Sequence, residues 1–417
     1  MTTPSARSLI QPFNALRPAP GRASDVIAPP YDVLSTDEAR TRATGRPWSF
    51  LHISKPEIDL ARDISPYAPE VYAKAAKNLQ SMIQSGVMVR DPDAHYYVYR
   101  ITMGEHTQTG LVAAASVADY DTNRIRKHEF TRPDKEDDRV RQIEALNAQT
   151  GPVLLAYAAA PEVDAILATT ALGQPDSDAE LEGVRHTIWV LRDADATARI
   201  TAAFNAMPAL YIADGHHRSA AASRIAATRR AANPAHNGAE SYNAFLSVIF
   251  PAHEMRIMDY NRLIVDLNGL GVEAFLSRLA SAFIVEPATS AVKPTQPGTF
   301  GMYLPGQWYR LSIRAELIPV DPVGSLDVSL LQNNLIGPLL GIADPRRDKR
   351  IDFVGGIRGL SELERRVNSG EMALAFALCP TRMEDLMAVA DANEVMPPKS
   401  TWFEPKLADG LVSHVLD

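Results

Sequence analysis

The sequence predicts a mixed α/β (α+β) protein, and three observations carry that expectation. Short apolar strand patterns alternate loosely with amphipathic helical patterns along the chain. One pair, His95 to Met103 and Thr107 to Val117 around the turn Gly104-Glu105-His106, has the alternating β-branched and aromatic character of a hairpin. A purely parallel sheet would have no such pair. The third observation is length. A chain of 417 residues exceeds one ordinary core and implies two or three units. The expected segments are residues 1–120, with the hairpin, 121–265, a binding core, and 266–417, an α/β region whose tail returns to the site.

Taken in order, residues 1–25 read as an extended lead-in. Pro29 and Pro30 forbid a helix in the turn Ala28-Pro-Pro-Tyr-Asp-Val-Leu34. Ser35 then caps a helix from Thr36, with Glu38 completing a capping box. Trp48 to Ile53 reads as a short strand and Pro69 to Ser85 as a helix. Lys127 to Arg141 is the densest charge cluster, followed by a helix at 140–147 and a strand at 152–158. Helix 194–205, strand 210–213, helix 219–232 and strand 243–250 follow. Beyond them the patterns predict a helix at 272–283, paired strands at 301–304 and 308–313, and a helix at 326–340. A strand at 350–354 comes next, then helices at 360–368 and 381–391 around a strand at 372–378. The tail, 396–411, is rich in Pro and Lys and reads as irregular.

Composition excludes some function classes. Hydrophobic residues make 46% of the chain and charged residues 22%, with a net charge of −8. No global basic field exists to hold nucleic acid or an anionic membrane. The single cysteine, Cys379, sits in an apolar run and has no intrachain partner. No apolar run approaches the ~18 residues of a membrane span, and the first 24 residues have no signal-peptide core. The expectation is a cytoplasmic protein with small-molecule partners, no membrane and no nucleic acid; a homodimer stays open.

The segment Leu210-Tyr-Ile-Ala-Asp-Gly-His-His-Arg218 is the chemical centre. A buried strand pattern runs directly into an Ala-rich helix, with Asp214, Gly215, His216, His217 and Arg218 at the junction. A helix N-terminus offers free N–H groups and partial positive charge, so it attracts anions. Gly215 admits close approach of a phosphate. Arg218 can bridge its oxygens, and His216 and His217 add donors whose charge depends on pH. Asp214 needs a partner beside phosphates: a Mg²⁺ ion, a proton to accept, or a histidine to anchor. A tight βα turn with Asp214 capping the helix is the bland alternative. A metal site built on His216 and His217 with His128 or His186 is another, although neither Cys ligands nor a His-Glu-x-x-His spacing is present.

The strand, Asp-Gly-His-His-Arg box and helix resemble the phosphate-binding box of the ParB/sulfiredoxin-like superfamily, and within it the free-L-serine kinases. That resemblance covers about residues 127–225. The chain also resembles a bacterial and archaeal family labelled ParB-like. Its marks are Ala28 to Leu34, Ser49-Phe-Leu-His52, His128-Glu129, Ala213 to Arg218 and Met396-Pro-Pro-Lys-Ser-Thr401. The resemblance implies a ParB/sulfiredoxin-like nucleotide-binding core with α/β extensions at both ends, and ATP or ADP with Mg²⁺ as cofactors. It also implies Glu129 as the base for a substrate hydroxyl, in a first box that precedes the Asp214 box, although about 159–205 is an insertion between them.

Phosphoryl transfer to an alcohol needs a carboxylate, a metal on the phosphates and cations for developing charge. Glu129, Asp214 and the set Lys135, Arg139 and Arg218 supply these types; a salt-bridged surface loop explains the same charges. Asp32 and His128 could border the pocket, and Lys399, Ser400, Thr401 and Lys406 offer phosphate- or carboxylate-binding groups in a stiff C-terminal lid. The leading expectation is therefore a kinase that converts free L-serine, or a similar hydroxy-amino acid, to its phospho-ester. The alternatives are a ParB-like CTP or ATP switch without kinase activity, and a metal-dependent hydrolase using His128, His216 and His217.

Overall fold

A computed structural model of the protein describes residues 8–417. Part of the expected lead-in, residues 1–7, lies outside the described residues. The chain divides into two compact units, 1–255 with 405–417, and 256–404. Expected breaks at 120 and 265 do not match these bounds. The hairpin strands of the first expected segment pair directly with strands of the second, so one sheet spans both.

That sheet has nine strands. In chain order they are β1 (Ile10–Gln11), β2 (Tyr96–Met103), β3 (His106–Ser116), β4 (Ile125–Arg126), β5 (Val153–Tyr157), β6 (Ser177–Leu181), β7 (Val184–Leu191), β8 (Leu210–Asp214) and β9 (Ala244–Pro251). Their spatial order is β4-β8-β5-β9-β3-β2-β7-β6, with β1 on β3. The β8–β4 and β9–β5 pairs are parallel and the others antiparallel, which makes the sheet mixed. The central strands β5 and β9 are buried along their whole length because both faces are covered, and the hydroxyl of their one serine, Ser247, donates to the Ala113 carbonyl. Full burial of a side chain such as Leu210 or Ile212 contributes about 1.5–3 kcal/mol. Gly110 on β3 lets β9 come close, since a Cβ there would stand 2.6 Å from the Ile249 carbonyl oxygen.

The helices of this unit include α1 (Thr36–Ala43), α2 (Leu51–Ser54), α3 (Pro69–Gln84), α4 (Pro133–Leu146), α5 (Pro161–Thr170), α6 (Ala194–Ala206) and α7 (His216–Ala232). The Ser35–Glu38 capping box starts α1 as the sequence predicts. The expected strand at 48–53 is instead the helical turn α2. Its run of apolar residues is too short for periodicity to decide, and one turn buries Phe50, Leu51 and Ile53 together. Helix α4 starts seven residues before the expected 140, because Pro133 suits a first helical position and acidic residues follow it. The region 161–191 holds α5, β6 and β7, none of which the sequence reading found. The β6–β7 hairpin turns through Glu182 and Gly183, both at positive φ, rather than through a familiar Asn-Gly pair.

Residues 405–417 belong to this same unit. Ser413–Val415 pairs with Ala15–Pro18 and with Ala148–Gln149, and Met88–Arg90 completes that four-stranded sheet. Within the other unit, a six-stranded antiparallel sheet is assembled from 260–264, 283–288, 299–304, 307–313, 351–355 and 374–378. Helices Val272–Leu279, Leu360–Asn368 and Met383–Asp391 accompany it. The expected helix at 326–340 is present in three joined pieces, the middle one a π-helical turn at Gln332–Ile336. Among the described residues, no helix is long and apolar enough to cross a membrane.

Candidate functional site

The junction of β8 and α7 follows from its residues. The β8–β5 register shifts between Ile212 and Asp214, a bulge that re-aims the chain just before the turn. Gly215 caps α7 at φ +100°, a conformation L-residues avoid. A Cβ there would lie 3.0 Å from Arg218 Nε. The amides of Arg218 and Ser219 already bond the Gly215 carbonyl. The first amides of α7 have no carbonyl four residues back within the helix, so this end remains an anion-attracting terminus.

Successive side chains of the box go to different places. His216 is buried and its Nε2 accepts from the His128 amide at 3.3 Å. Its Nδ1 lies 3.7 Å from Glu129 Oε2, and the rings of His216 and His128 meet edge-on at 4.5 Å. His217 Nε2 accepts from the Arg132 amide at 3.0 Å and so holds the loop before α4. Arg218 turns the opposite way. Its Nη1 donates to the Pro152 carbonyl and its Nη2 lies 3.4 Å from Asp214 Oδ2.

Charge follows the same division. Burial first, and then the neighbouring His128, hold His216 well below the usual imidazole value. Burial brings His128 down to about 4 and also lowers His217. These shifts favour the neutral form of all three imidazoles at pH 7. The local cations are Lys406 and Arg218. Burial disfavours a charged Asp214, but Lys406, Arg218 and the Gly215 amide outweigh it and set its carboxylate at about 2. Lys406 Nζ stands 4.0 Å from Asp214 Oδ2. A carboxylate already compensated by two cations is a poor magnesium ligand, so the expected Asp214 metal role does not fit. Asp214 anchors cations instead.

On the Arg218 side lies a small cleft lined by Tyr31, Arg139, Thr150, Gly151, Arg218 and Asp409 among others. Arg139 bonds Asp138 at 2.6 Å and lies 3.9 Å over the Tyr31 ring. Burial, then Asp32, push Asp409 up to about 7 against the pull of Arg218 and Arg139. Asp32, itself exposed, thus acts on this cavity electrostatically. Asp409 was missed by the sequence reading. The only hint is the Leu407-Ala-Asp-Gly410 turn, which carries no chemistry until the fold closes round it.

The other expected site residues divide likewise. Lys135 donates to the Tyr67 hydroxyl at 2.9 Å near the start of α4. Lys399, Ser400 and Thr401 belong to the second unit. There the Lys399 carbonyl accepts from Arg262 at 3.0 Å, the Lys399 ammonium lies 5.7 Å from the Tyr260 ring, and the Ser400 hydroxyl donates to the Pro397 carbonyl at 2.6 Å. These contacts shape that unit's own chain. His186, once a candidate ligand, is paired with the Tyr99 hydroxyl at 2.7 Å inside the sheet.

A family model described as Protein of unknown function (DUF1015) matches residues 10–329. No curated protein matches the chain. Among solved structures, a free serine kinase variant in complex with ADP has 13% identity, covering 72% of this chain and 89% of its own, at TM-score 0.35. A free serine kinase in complex with AMP has 11% identity, 73% and 89% coverage, and TM-score 0.35. A conserved hypothetical protein from Pyrococcus furiosus has 15% identity, 74% and 96% coverage, and TM-score 0.35.

Proposed function

The chain belongs to the DUF1015 family, and from that premise we propose that it is a nucleotide-dependent phosphotransferase acting on a small alcohol, with free L-serine or a similar hydroxy-amino acid as acceptor. One observation carries this reading. Glu129, from the charged segment, and the first turn of α7 come together, with Glu129 Oε2 3.7 Å from His216 Nδ1. A half-exposed carboxylate thus stands beside a helix terminus suited to phosphate.

The neutral His216 fixes the geometry of the base. Its Nε2 accepts from the His128 amide, so Nδ1 carries the proton and points toward Glu129. Glu129 accepts the proton of the acceptor hydroxyl as its oxygen attacks phosphorus. The new O–P bond forms while the bridging O–P bond of the donor nucleotide breaks, and the shortened nucleotide leaves. The first amides of α7 stabilise the transferring group, with Lys406 and Lys135 as nearby cations. Phe130, 74% exposed beside Glu129, offers an apolar surface for a base. Arg218 supports the turn through the Pro152 carbonyl and Asp214, and Arg139 is held by Asp138 and the Tyr31 ring, so neither reaches for phosphate in this reading. A nucleotide-bound magnesium would supply charge neutralisation on the phosphates.

Incubating the protein with ATP, ADP or CTP, magnesium and a panel of hydroxy-amino acids tests the reading, with O-phosphoserine followed by phosphorus NMR. The expected result is transfer in the native protein and a loss of at least 100-fold in Glu129→Gln with nucleotide affinity kept. No transfer from any donor to any acceptor overturns it.

A further inference from the structure

His128, Glu129 and His216 have a property that phosphoryl transfer alone does not use. One donor atom from each lies within 4.8 Å of the other two. His128 is 2% exposed; its ring bonds the Ile212 carbonyl, and its Nδ1 is buried with no hydrogen-bond partner. A buried ring nitrogen without a partner is costly, and native proteins seldom leave one unexplained. The pattern matches a ligating histidine, in which one nitrogen donates to a backbone carbonyl and the other presents its lone pair to a metal.

The remaining two donors complete the set. His216 is equally buried and its Nδ1 faces Glu129 Oε2 at 3.7 Å. The Glu129 side chain is half exposed, which leaves an entry path and open coordination positions. Two donors each about 2.1 Å from one ion stand roughly 3.0–3.5 Å apart. The trio must therefore close by at most about 1–2 Å, a side-chain movement in which the half-exposed Glu129 has the most freedom.

We propose that His128, Glu129 and His216 bind one divalent transition-metal ion in a two-histidine, one-carboxylate arrangement. Two imidazoles and one carboxylate suit zinc, manganese, iron or cobalt, whereas magnesium prefers an all-oxygen shell. His217 does not share this cluster, and its Nε2 accepts from the Arg132 amide. Ligation through His216 Nδ1 moves that ring's proton to Nε2 and gives up the 3.3 Å bond from the His128 amide. The amide of His128 thus reports on metal entry at a single residue. The inference rests on the same pocket as the phosphotransferase reading and revises one role in it: in a metal-loaded protein Glu129 and His216 Nδ1 would be ligands, and the ion rather than Glu129 would acidify a bound acceptor hydroxyl. His216 is itself the first residue of α7, so an ion held there would neighbour the helix terminus where an acceptor oxygen or phosphate would bind.

The test uses the full chain, freed of metal by chelator and titrated separately with Zn²⁺, Mn²⁺, Co²⁺ and Mg²⁺ by calorimetry. The expected result is one equivalent of transition metal, a visible Co²⁺ spectrum of mixed nitrogen and oxygen ligation, and Mg²⁺ weaker by at least 100-fold. Glu129→Gln, on a half-exposed side chain, should weaken binding at least tenfold with the circular dichroism unchanged, and His128→Ala should do the same. Faster hydrogen exchange at the His128 amide should accompany saturation. No stoichiometric binding of any transition ion overturns the proposal, as does unchanged affinity in both variants or parity with Mg²⁺. Transfer from magnesium nucleotide by a protein that binds no transition ion removes the metal site and leaves the phosphotransferase reading. Metal bound at this site with no transfer to any acceptor does the reverse.

Discussion

His216 and Arg218 are two residues apart on one helical turn, yet they serve opposite surroundings. The His216 side is neutral and partly open: a buried imidazole, an orphaned His128 nitrogen and a half-exposed Glu129. The Arg218 side is charged and enclosed, with Asp214, the Pro152 carbonyl, Asp409 and Arg139 round one guanidinium. Burial disfavours that charge, but Asp214, Asp32, Tyr31 and Asp409 together raise the Arg218 pKa above its usual value. The difference teaches that a compact motif need not act as one ligand-binding unit. In the function proposed above, one half presents chemistry and the other fixes the turn that presents it.

The sharpest way to break this division is Arg218→Ala. It leaves the buried Asp409 and the partly exposed Asp214 without their shared cation, so stability should fall by about 3 kcal/mol in chemical denaturation. A variant that is as stable as the native protein but binds nucleotide poorly would place Arg218 on the presenting side instead. Glu129→Gln should show the mirror pattern, with transfer reduced roughly 10²–10⁴-fold and the unfolding midpoint within experimental scatter.

Asp409 gives a pH test of the enclosed side. Its folded pKa of about 7 stands above the ordinary 3.8. The protonated form is therefore favoured by folding, a contribution complete below about pH 4 and lost as pH rises through about 7. Its slope is at most about 1.4 kcal/mol per pH unit. Asp409→Asn should flatten the fall in stability between pH 4 and 7 relative to the native protein; parallel stability curves would show that Asp409 is not buried as described. Gly215→Ala comes next. Forcing a Cβ at φ +100° against Arg218 should cost about 1–2 kcal/mol and weaken anion binding at the terminus, read by phosphate competition. The smallest effect is expected of His217→Ala, which loses one loop-holding bond worth about 1 kcal/mol.

How much of this was legible in the sequence depended on range. Local signals carried well: the Ser35 capping box, the hairpin of β2 and β3, and the strand–Gly215–helix junction are each decided within a few residues. Glu129 was reached through resemblance, and its nearness to His216 could not be read from spacing, since 87 residues separate them. The protein partners of Arg218 were out of reach for a related reason. A side chain's partners are set by whatever folds around it, and Asp409 and Pro152 lie far away in sequence. The misjudged strand at 48–53 shows the limit for short apolar runs, where burial on one turn and burial on one strand look alike. Lys399 and Ser400, expected in a lid, make their described contacts within the second unit, through partners that lie far off in sequence or that the Pro-stiffened segment itself supplies.

Residues 405–417 supply Lys406 and Asp409 and add the strand at 413–415 to a sheet begun at residue 15. All of 256–404 is made between the rest of that unit and this closing piece. At the usual 5–20 residues per second, the first unit waits on the ribosome for roughly 10–30 s with Asp214 lacking its lysine. Until then it is a partly edged sheet with an open pocket, so a stalled or C-terminally clipped chain should be an early target for chaperones and proteases.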